Sequence, residues 1–189
     1  ENINFTAGVT YQSQKNHYYK KLDDLLGGDF YVDINQFGER DFPTNPDAGQ
    51  NDLNNPNRIV TVGDKLGYNY DLNIKKGSVW MQGVFKFRKM DFFVATEHSY
   101  TSFFRYGNVK TGLFKDDSYG KSTTYNFYNS GIKAGLTYKI DGRNYVFANG
   151  SYGSRAPYFE NAFIAPRTRD FVQENLKSEE NLSTEVGYV

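Results

Sequence analysis

The stretch that decides the fold is residues 2–12, Asn-Ile-Asn-Phe-Thr-Ala-Gly-Val-Thr-Tyr-Gln. Every second residue from Ile3 to Tyr11 is apolar, whereas the residues between them are polar or glycine. Successive side chains of a β-strand point to opposite faces, so this alternation over about ten residues indicates one apolar and one polar face. Residues 2–12 therefore predict a long, two-faced strand.

The same alternation recurs along the chain, most clearly where Ile132, Ala134 and Leu136 are separated by lysine and glycine. The sequence predicts six long strands, at residues 2–12, 78–88, 91–106, 126–140, 144–153 and 179–189. The connections between them are alternately long and short. A further alternating stretch, residues 64–74, would break this regularity, so we predict that it forms a hairpin arm that turns at Lys75–Ser78.

Composition argues against several classes of function. The formal net charge is +0, there is no Cys, and there are only 2 His. The chain therefore lacks the basic excess that attracts nucleic acid and has little material for a metal or thiol site. His17 and His98 have no partners at ligand spacing, and no nucleophile, phosphate-loop or paired-acid motif is present. We expect a protein that is not an enzyme and that uses no cofactor.

Two all-β architectures produce such alternation: a soluble sandwich and a membrane barrel. Soluble strands usually have about 5–6 residues, whereas strands of about ten cross a bilayer when tilted. Tyrosines lie near the predicted strand ends, as in the aromatic girdles of barrels. These are Tyr11, Tyr128, Tyr138 and Tyr188. The pattern favours an antiparallel transmembrane β-barrel with long extracellular loops; the alternative is a secreted or surface β-sandwich that binds carbohydrate through aromatic loops.

A sheet of six strands leaves two unpaired edges, which lipid does not tolerate. The sequence starts at Glu1 without a leader, and the alternation continues to Val189. We therefore expect residues 1–189 to be one partial barrel domain, completed by strands elsewhere in a longer protein.

Two segments resemble TonB-dependent outer-membrane receptors. Residues 150–157, Gly-Ser-Tyr-Gly-Ser-Arg-Ala-Pro, end one predicted strand, and residues 175–188, Asn-Leu-Lys-Ser-Glu-Glu-Asn-Leu-Ser-Thr-Glu-Val-Gly-Tyr, open the next. In that family, Arg-Ala-Pro closes a strand and a Leu-x-x-Glu … Glu-x-Gly-Tyr segment follows. The matching residues are Arg155, Ala156, Pro157, Leu176, Glu179, Glu185, Gly187 and Tyr188.

A third segment is similar to the long extracellular loop of receptors from Bacteroidetes. It consists of residues 18–29 followed by Val-Gly-Asp-Lys at 62–65. The resemblance implies a parent with a carboxypeptidase-regulatory-like N-terminal domain and a barrel of about 22 strands in the bacterial outer membrane. Such a receptor imports a scarce ligand, for example a siderophore, cobalamin or a glycan, with energy from TonB. A passive porin is a weaker alternative.

The family's plug domain, its TonB box and its closing strand have no counterpart in this sequence. The resemblance therefore implies that the plug and the TonB complex contact the missing N-terminal part of the parent. This chain itself would contact outer-membrane lipid and no nucleic acid. The identity of the ligand stays open.

The first long loop contains candidate binding elements. Tyr19, Leu22 and Leu26 fall on one helical stripe before Gly27, which predicts a short helix over residues 18–26. The candidate ligand-contacting aromatics are Tyr18, Tyr19, Phe30, Tyr31 and Phe37, with packing of the loop as the alternative.

Two further features have two readings each. Residues 41–57 are rich in Asp and Asn, whose oxygens suit calcium, but the spacing does not fit an EF-hand and three prolines favour a solvated loop tip. Arg155 either pairs with a carboxylate inside the barrel or marks the end of a strand before Pro157.

Overall fold

The computed structural model describes residues 2–189 and is built almost entirely from strands. Its elements in chain order are β1 (Asn2–Lys21), β2 (Tyr31–Val32), α1 (Gln36–Asp41), β3 (Ile59–Val60), β4 (Lys65–Lys86), β5 (Met90–Gly107), β6 (Gly120–Lys121), β7 (Tyr125–Lys139), β8 (Tyr145–Arg155), α2 (Phe159–Ala162) and β9 (Glu179–Tyr188).

The six long strands form one antiparallel sheet in the order β1-β4-β5-β7-β8-β9. Each long strand pairs with the long strands that precede and follow it, so the sheet is a meander. The short β6 adds to β5, and β2 and β3 pair as a separate ribbon. The predictions of an all-β fold and of six long antiparallel strands are confirmed. Within residues 2–189, β1 and β9 form the two edges of the sheet.

Short and long connections lie at opposite ends of the sheet. The short ones, residues 87–89 and 140–144, define what we call the turn end; residues 22–64, 108–124 and 156–178 define the loop end. In the second turn, a carboxylate oxygen of Asp141 accepts hydrogen bonds from the backbone N–H groups of Arg143 and Asn144, at 2.8 and 2.9 Å. The predicted alternation of loop lengths is confirmed.

The predicted hairpin turn at Lys75–Ser78 is wrong, because β4 runs through it as one strand of 22 residues. Lys75 pairs with Ser13 on one side and Ser102 on the other, and Gly77 pairs with Tyr11 and Tyr100. Neighbouring strands on both sides hold this segment extended. Residues 65–74 are therefore part of this single strand, not a separate arm.

The predicted helix over residues 18–26 is also wrong. Tyr18 continues β1, pairs with Tyr70 and stacks on its ring at 5.0 Å between centroids. Strand β1 therefore extends further into the predicted first loop than we expected. A short helix does occur in this loop, but at α1, where the Asn35 side chain accepts a hydrogen bond from the N–H of Gly38.

Candidate functional site

The half of the sheet near the turn end has one apolar face that crosses all six long strands. The register places side chains next to each other in continuous rows; for example, Phe92 pairs with both Phe85 and Leu136. We call this side of the sheet, along the whole length of the strands, the wall face. Its large apolar members are Ile3, Phe5, Val9, Val79, Met81, Phe85, Phe92, Val94, Ile132, Leu136, Val146, Leu182 and Val186.

The wall face is uncovered in the part of the chain that the structure describes. Val9 is 79% exposed, and Leu182 and Val186 are each 77% exposed. Contiguous exposed apolar surface of this extent indicates an interaction with lipid or with another apolar surface.

We call the opposite side of the sheet the loop face. In the half near the turn end, the loop face is polar. It presents Thr6, Gln82, Glu97, Lys133, Asn149, Ser183 and Glu185. Its aromatic residues lie over glycines: an added Cβ at Gly135 would lie 2.3 Å from Phe93, and one at Gly187 would lie 2.4 Å from Phe147. The rings thus fill the space that missing side chains leave between strands.

A row of tyrosines marks the end of the apolar part of the wall face, on the side towards the loop end. Tyr11 pairs with Gly77, Gly77 with Tyr100, and Tyr100 with Tyr128. The Tyr100 hydroxyl donates a hydrogen bond to Oδ1 of Asn126, at 2.8 Å. Each of these tyrosines therefore places an apolar ring on the wall face, and at least Tyr100 also has a polar partner for its hydroxyl.

A second group of tyrosines lies at the turn end. Tyr138 and Tyr188 flank Val146, and the Tyr188 hydroxyl hydrogen-bonds to the side chain of Asn144. Tyr128 and Tyr138 are ten residues apart on β7, which corresponds to about 33 Å along the strand. A tilt of about 45° reduces this to about 23 Å, close to the apolar band of about 25 Å in outer-membrane barrels.

Beyond the tyrosine row, towards the loop end, the apolar side chains change to the other side of the sheet. On the loop face, Leu72 and Phe103 are both 2% exposed, and Tyr70 and Phe127 lie beside them. The α2 segment covers them with Phe159, Ala162 and Phe163. Phe103 stacks on Phe127 at 5.5 Å. The loop end is therefore closed on this side by a conventional buried core, which we call the aromatic core.

Arg105 joins the aromatic core to the loops above it. The side chain is 1% exposed; Nε donates to the carbonyl of Pro166 at 2.7 Å, and Nη1 donates to that of Ser118 at 2.9 Å. The guanidinium also lies 5.2 Å from the centroid of Tyr70. Burial lowers the pKa of Arg105, and it raises that of Tyr70 to about 12. Arg105 holds residues 156–178 against the sheet.

In the loop-end half, the wall face carries polar and aromatic residues, and a charged cluster lies on β1 and β4. Lys15 Nζ lies 3.0 Å from Asp71, His17 hydrogen-bonds to the same carboxylate, and Lys65 Nζ lies 2.8 Å from His17 Nε2. Burial alone would raise the pKa of Asp71, but the hydrogen bonds from His17 and Lys15 and the charges of these residues outweigh it and lower the pKa.

The residues of the family motif are distributed along the edge of the sheet formed by β8 and β9. Arg155 and Glu179 are paired in register and form an ion pair at 2.7 Å. Arg155 therefore does have a carboxylate partner on the neighbouring strand, and it also ends β8 two residues before the buried Pro157. The carboxylate partner and the end of the strand are thus both observed, and the position of Arg155 inside a barrel stays a prediction.

The remaining motif residues make local contacts. Ala156 and Leu176 pack against the aromatic core. Glu185 accepts a hydrogen bond from Asn149 at 3.3 Å, while Gly187 lies beneath the ring of Phe147. Tyr188 belongs to the turn-end tyrosine group. These residues thus stabilise pairing and loop position rather than form one pocket.

The candidate ligand-contacting aromatics are not brought together. Tyr18 packs against the aromatic core, whereas Tyr19 lies on the opposite face with Lys65 Nζ 4.6 Å from its ring centroid. Phe30 and Phe37 are 55% and 69% exposed in the first long connection, and Tyr31 is half-buried in β2. Whether any of them contacts a ligand stays a prediction.

Loop residues 41–57 use their side-chain oxygens within the loop structure. Asp52 accepts hydrogen bonds from the N–H groups of Asn54 and Lys110, at 3.1 and 3.2 Å, and Asn45 accepts one from Asp47 at 3.2 Å. Nearby, the 3% exposed Asp33 pairs with Arg58 at 2.7 Å. Residues 2–189 contain no group of three or more acidic or histidine side chains placed to hold a metal ion.

Sequence reasoning missed the aromatic core and Arg105. A signal was present, since the apolar phase of β5 changes from even residues at Phe92 and Val94 to the odd residue Phe103. A change of phase along one strand marks the level where the buried side of the sheet changes.

No family model, curated protein or solved structure matches this chain. In the range 2–189, none of the helices is long and apolar enough to cross a membrane.

Proposed function

We propose that this chain forms part of the wall of a transmembrane β-barrel in the bacterial outer membrane, as a segment of a TonB-dependent receptor that imports a scarce ligand. One observation carries the proposal. An uncovered apolar face, about as tall as a bilayer core, lies between two groups of tyrosines and is backed by a polar face.

Beyond the tyrosine row, the apolar side chains change to the other side of the sheet, and this change also supports a wall face in contact with lipid. A sheet in lipid places its apolar side chains outward, whereas a sheet in water places them towards its own core. Within β5, Val94 lies on the exposed wall face and Phe103 lies in the buried aromatic core. We infer that the tyrosine row marks the outer boundary of the membrane and that the loop end projects from the cell.

The receptor role rests on the motif around Arg155 and Glu179 and on the large loop assembly. The loops that cover the aromatic core occupy the side that would face the interior of a closed barrel. They would narrow its mouth, as expected for a barrel that selects its cargo rather than for an open pore. The alternative, a carbohydrate-binding sandwich, normally needs two facing sheets, whereas the six long strands lie in one.

Fractionation and uptake test the proposal. We expect the protein in the outer-membrane fraction and expect that only detergent extracts it. We also expect deletion of its gene to abolish uptake of one scarce nutrient, and a protonophore to block the same uptake in unaltered cells. A monomer in detergent-free solution would contradict the membrane assignment. Outer-membrane location with uptake that is insensitive to the protonophore would contradict the TonB-dependent role alone.

A further inference from the structure

Four lysines lie on the wall face between the tyrosine row and the loop end. Lys75 lies on the first row beyond Tyr11 and Gly77, opposite Ser13, and Lys15 lies on the next row of β1. Lys121 is opposite Tyr106, and Lys65 reaches back over the ring of Tyr19. We call Lys15, Lys65, Lys75 and Lys121 the basic band.

The basic band carries an excess of positive charge in a chain that is neutral as a whole. The strand segments 13–21, 65–76, 101–107 and 120–121 contain one acidic residue, Asp71, which lies between Lys15 and His17. The side chain of Lys15 is 64% exposed although it touches this carboxylate. Neither Lys75 nor Lys121 forms an ion pair within residues 2–189.

The aromatic neighbours of the basic band keep its ammonium groups close to the sheet. Lys121 Nζ lies 4.5 Å from the ring centroid of Phe104, and Lys65 Nζ lies 4.6 Å from that of Tyr19. Such cation–π contacts restrict the side chains while leaving donors available. The ammonium groups are thus presented on the same side of the sheet as the apolar wall, with Lys75 and Lys15 one and two rows beyond its boundary and Lys121 and Lys65 further towards the loop end.

We propose that the basic band binds the phosphate groups of anionic lipid headgroups in the leaflet that surrounds the tyrosine row. The inference rests on the proposed membrane orientation and adds the chemistry of the lipid. Phosphate is favoured because lysine ammonium groups bind it as point charges, and because a lipid whose acyl chains cover Val9 and Val79 brings its headgroup to this level. Asp71 positions Lys15 and His17 within the band.

The test uses one lipid in two forms. The full chain in a zwitterionic detergent is titrated with bisphosphorylated lipid A and with the same lipid after removal of both phosphates, and the bound lipid is counted by native mass spectrometry. The variant has Lys15→Gln, Lys75→Gln and Lys121→Gln. The matched control has Lys76→Gln, Lys86→Gln and Lys133→Gln, three lysines of the opposite face.

We expect the unaltered chain to prefer the phosphorylated lipid, and the band variant to lose about tenfold or more of its affinity for that lipid. The control should keep the preference. Equal binding of both lipids by the unaltered chain, or equal loss in variant and control, would overturn the lipid assignment while leaving the membrane wall intact. Binding of neither lipid, together with solubility without detergent, would instead show that the membrane proposal itself has failed. If the band variant binds lipid normally but loses an acidic protein that copurifies with the unaltered chain, the band is a protein-binding surface and the lipid proposal is wrong.

Discussion

Tyr100 and Tyr128 are paired across β5 and β7 at the level where the sheet exchanges its apolar side. On one side of this pair, towards the turn end, exposed apolar residues such as Val94 and Ile132 share the face of the two tyrosines. On the other side, Phe103 and Phe127 are buried on the opposite face. This pair of residues thus divides both β5 and β7 into a segment whose exposed side chains suit lipid and a segment whose apolar side chains are buried from water.

A charge in the middle of the wall face should destabilise the protein strongly. Ile132→Lys places an ammonium group among Thr96 and Tyr152, near the middle of the span between Tyr128 and Tyr138 that we assign to the bilayer. We expect a cost of about 2–4 kcal/mol in the free energy of unfolding from lipid vesicles, measured by urea titration. Thr137→Lys is the matched control, since its side chain lies on the loop face opposite Asp91. Equal tolerance of both substitutions would refute the assignment of lipid to the wall face.

Loss of Arg105 should release the loops of the loop end. Arg105→Leu leaves the carbonyls of Ser118 and Pro166 without their buried donor. We expect a loss of about 2–4 kcal/mol in stability and faster proteolysis within residues 156–178. Arg143→Leu, in an exposed turn, serves as the control. If the loops are cleaved no faster in Arg105→Leu than in the control, Arg105 does not anchor them.

The cluster around Asp71 should stabilise the fold in a pH-dependent manner. Its pKa in the folded protein is lowered by the contacts with His17 and Lys15, which outweigh the effect of burial. The stabilisation is therefore present above the pKa of the unfolded state, about 3.9, and is lost as the pH falls through the lower folded-state value. We expect Asp71→Asn to lower the urea midpoint at pH 7 and to match the unaltered chain at about pH 2.

The exposed Asp23 provides the control for this experiment, because Asp23→Asn changes the net charge equally without removing these contacts. If the urea midpoints of Asp71→Asn and the unaltered chain differ by the same amount at every pH, the charge of Asp71 does not stabilise the fold and the pH-dependent part of the prediction is wrong.

Much of the sheet is predictable because strand alternation is a local property. Residues 2–12 alternate without interruption, and the register confirms that Ile3 to Tyr11 share one face. The length of β4 was not predictable in the same way, since Lys75 and Lys76 look like a turn until their partners on β1 and β5 are known. Tertiary pairing outweighs weak local preference at such positions.

The loop assembly depends on contacts between residues that are far apart in sequence. Arg105 contacts Pro166, and Phe103 packs near Phe163, yet neither pair has a sequence spacing that indicates contact. The basic band was missed for a related reason. Lys15 and Lys75 were assigned to a loop and a turn, so their common face became visible only once both belonged to paired strands.

The central claim is that the wall face contacts lipid, and tryptophan fluorescence tests it most directly. Trp80 is the only tryptophan of the chain and lies on the loop face, beside Gly8; its neighbour Val79 lies on the wall face. The unaltered protein and a Val79→Trp, Trp80→Phe variant are reconstituted in vesicles whose lipids carry bromine on the acyl chains. We predict strong quenching of tryptophan at position 79 and little at position 80. Equal quenching at both positions, or quenching at neither, would contradict the account.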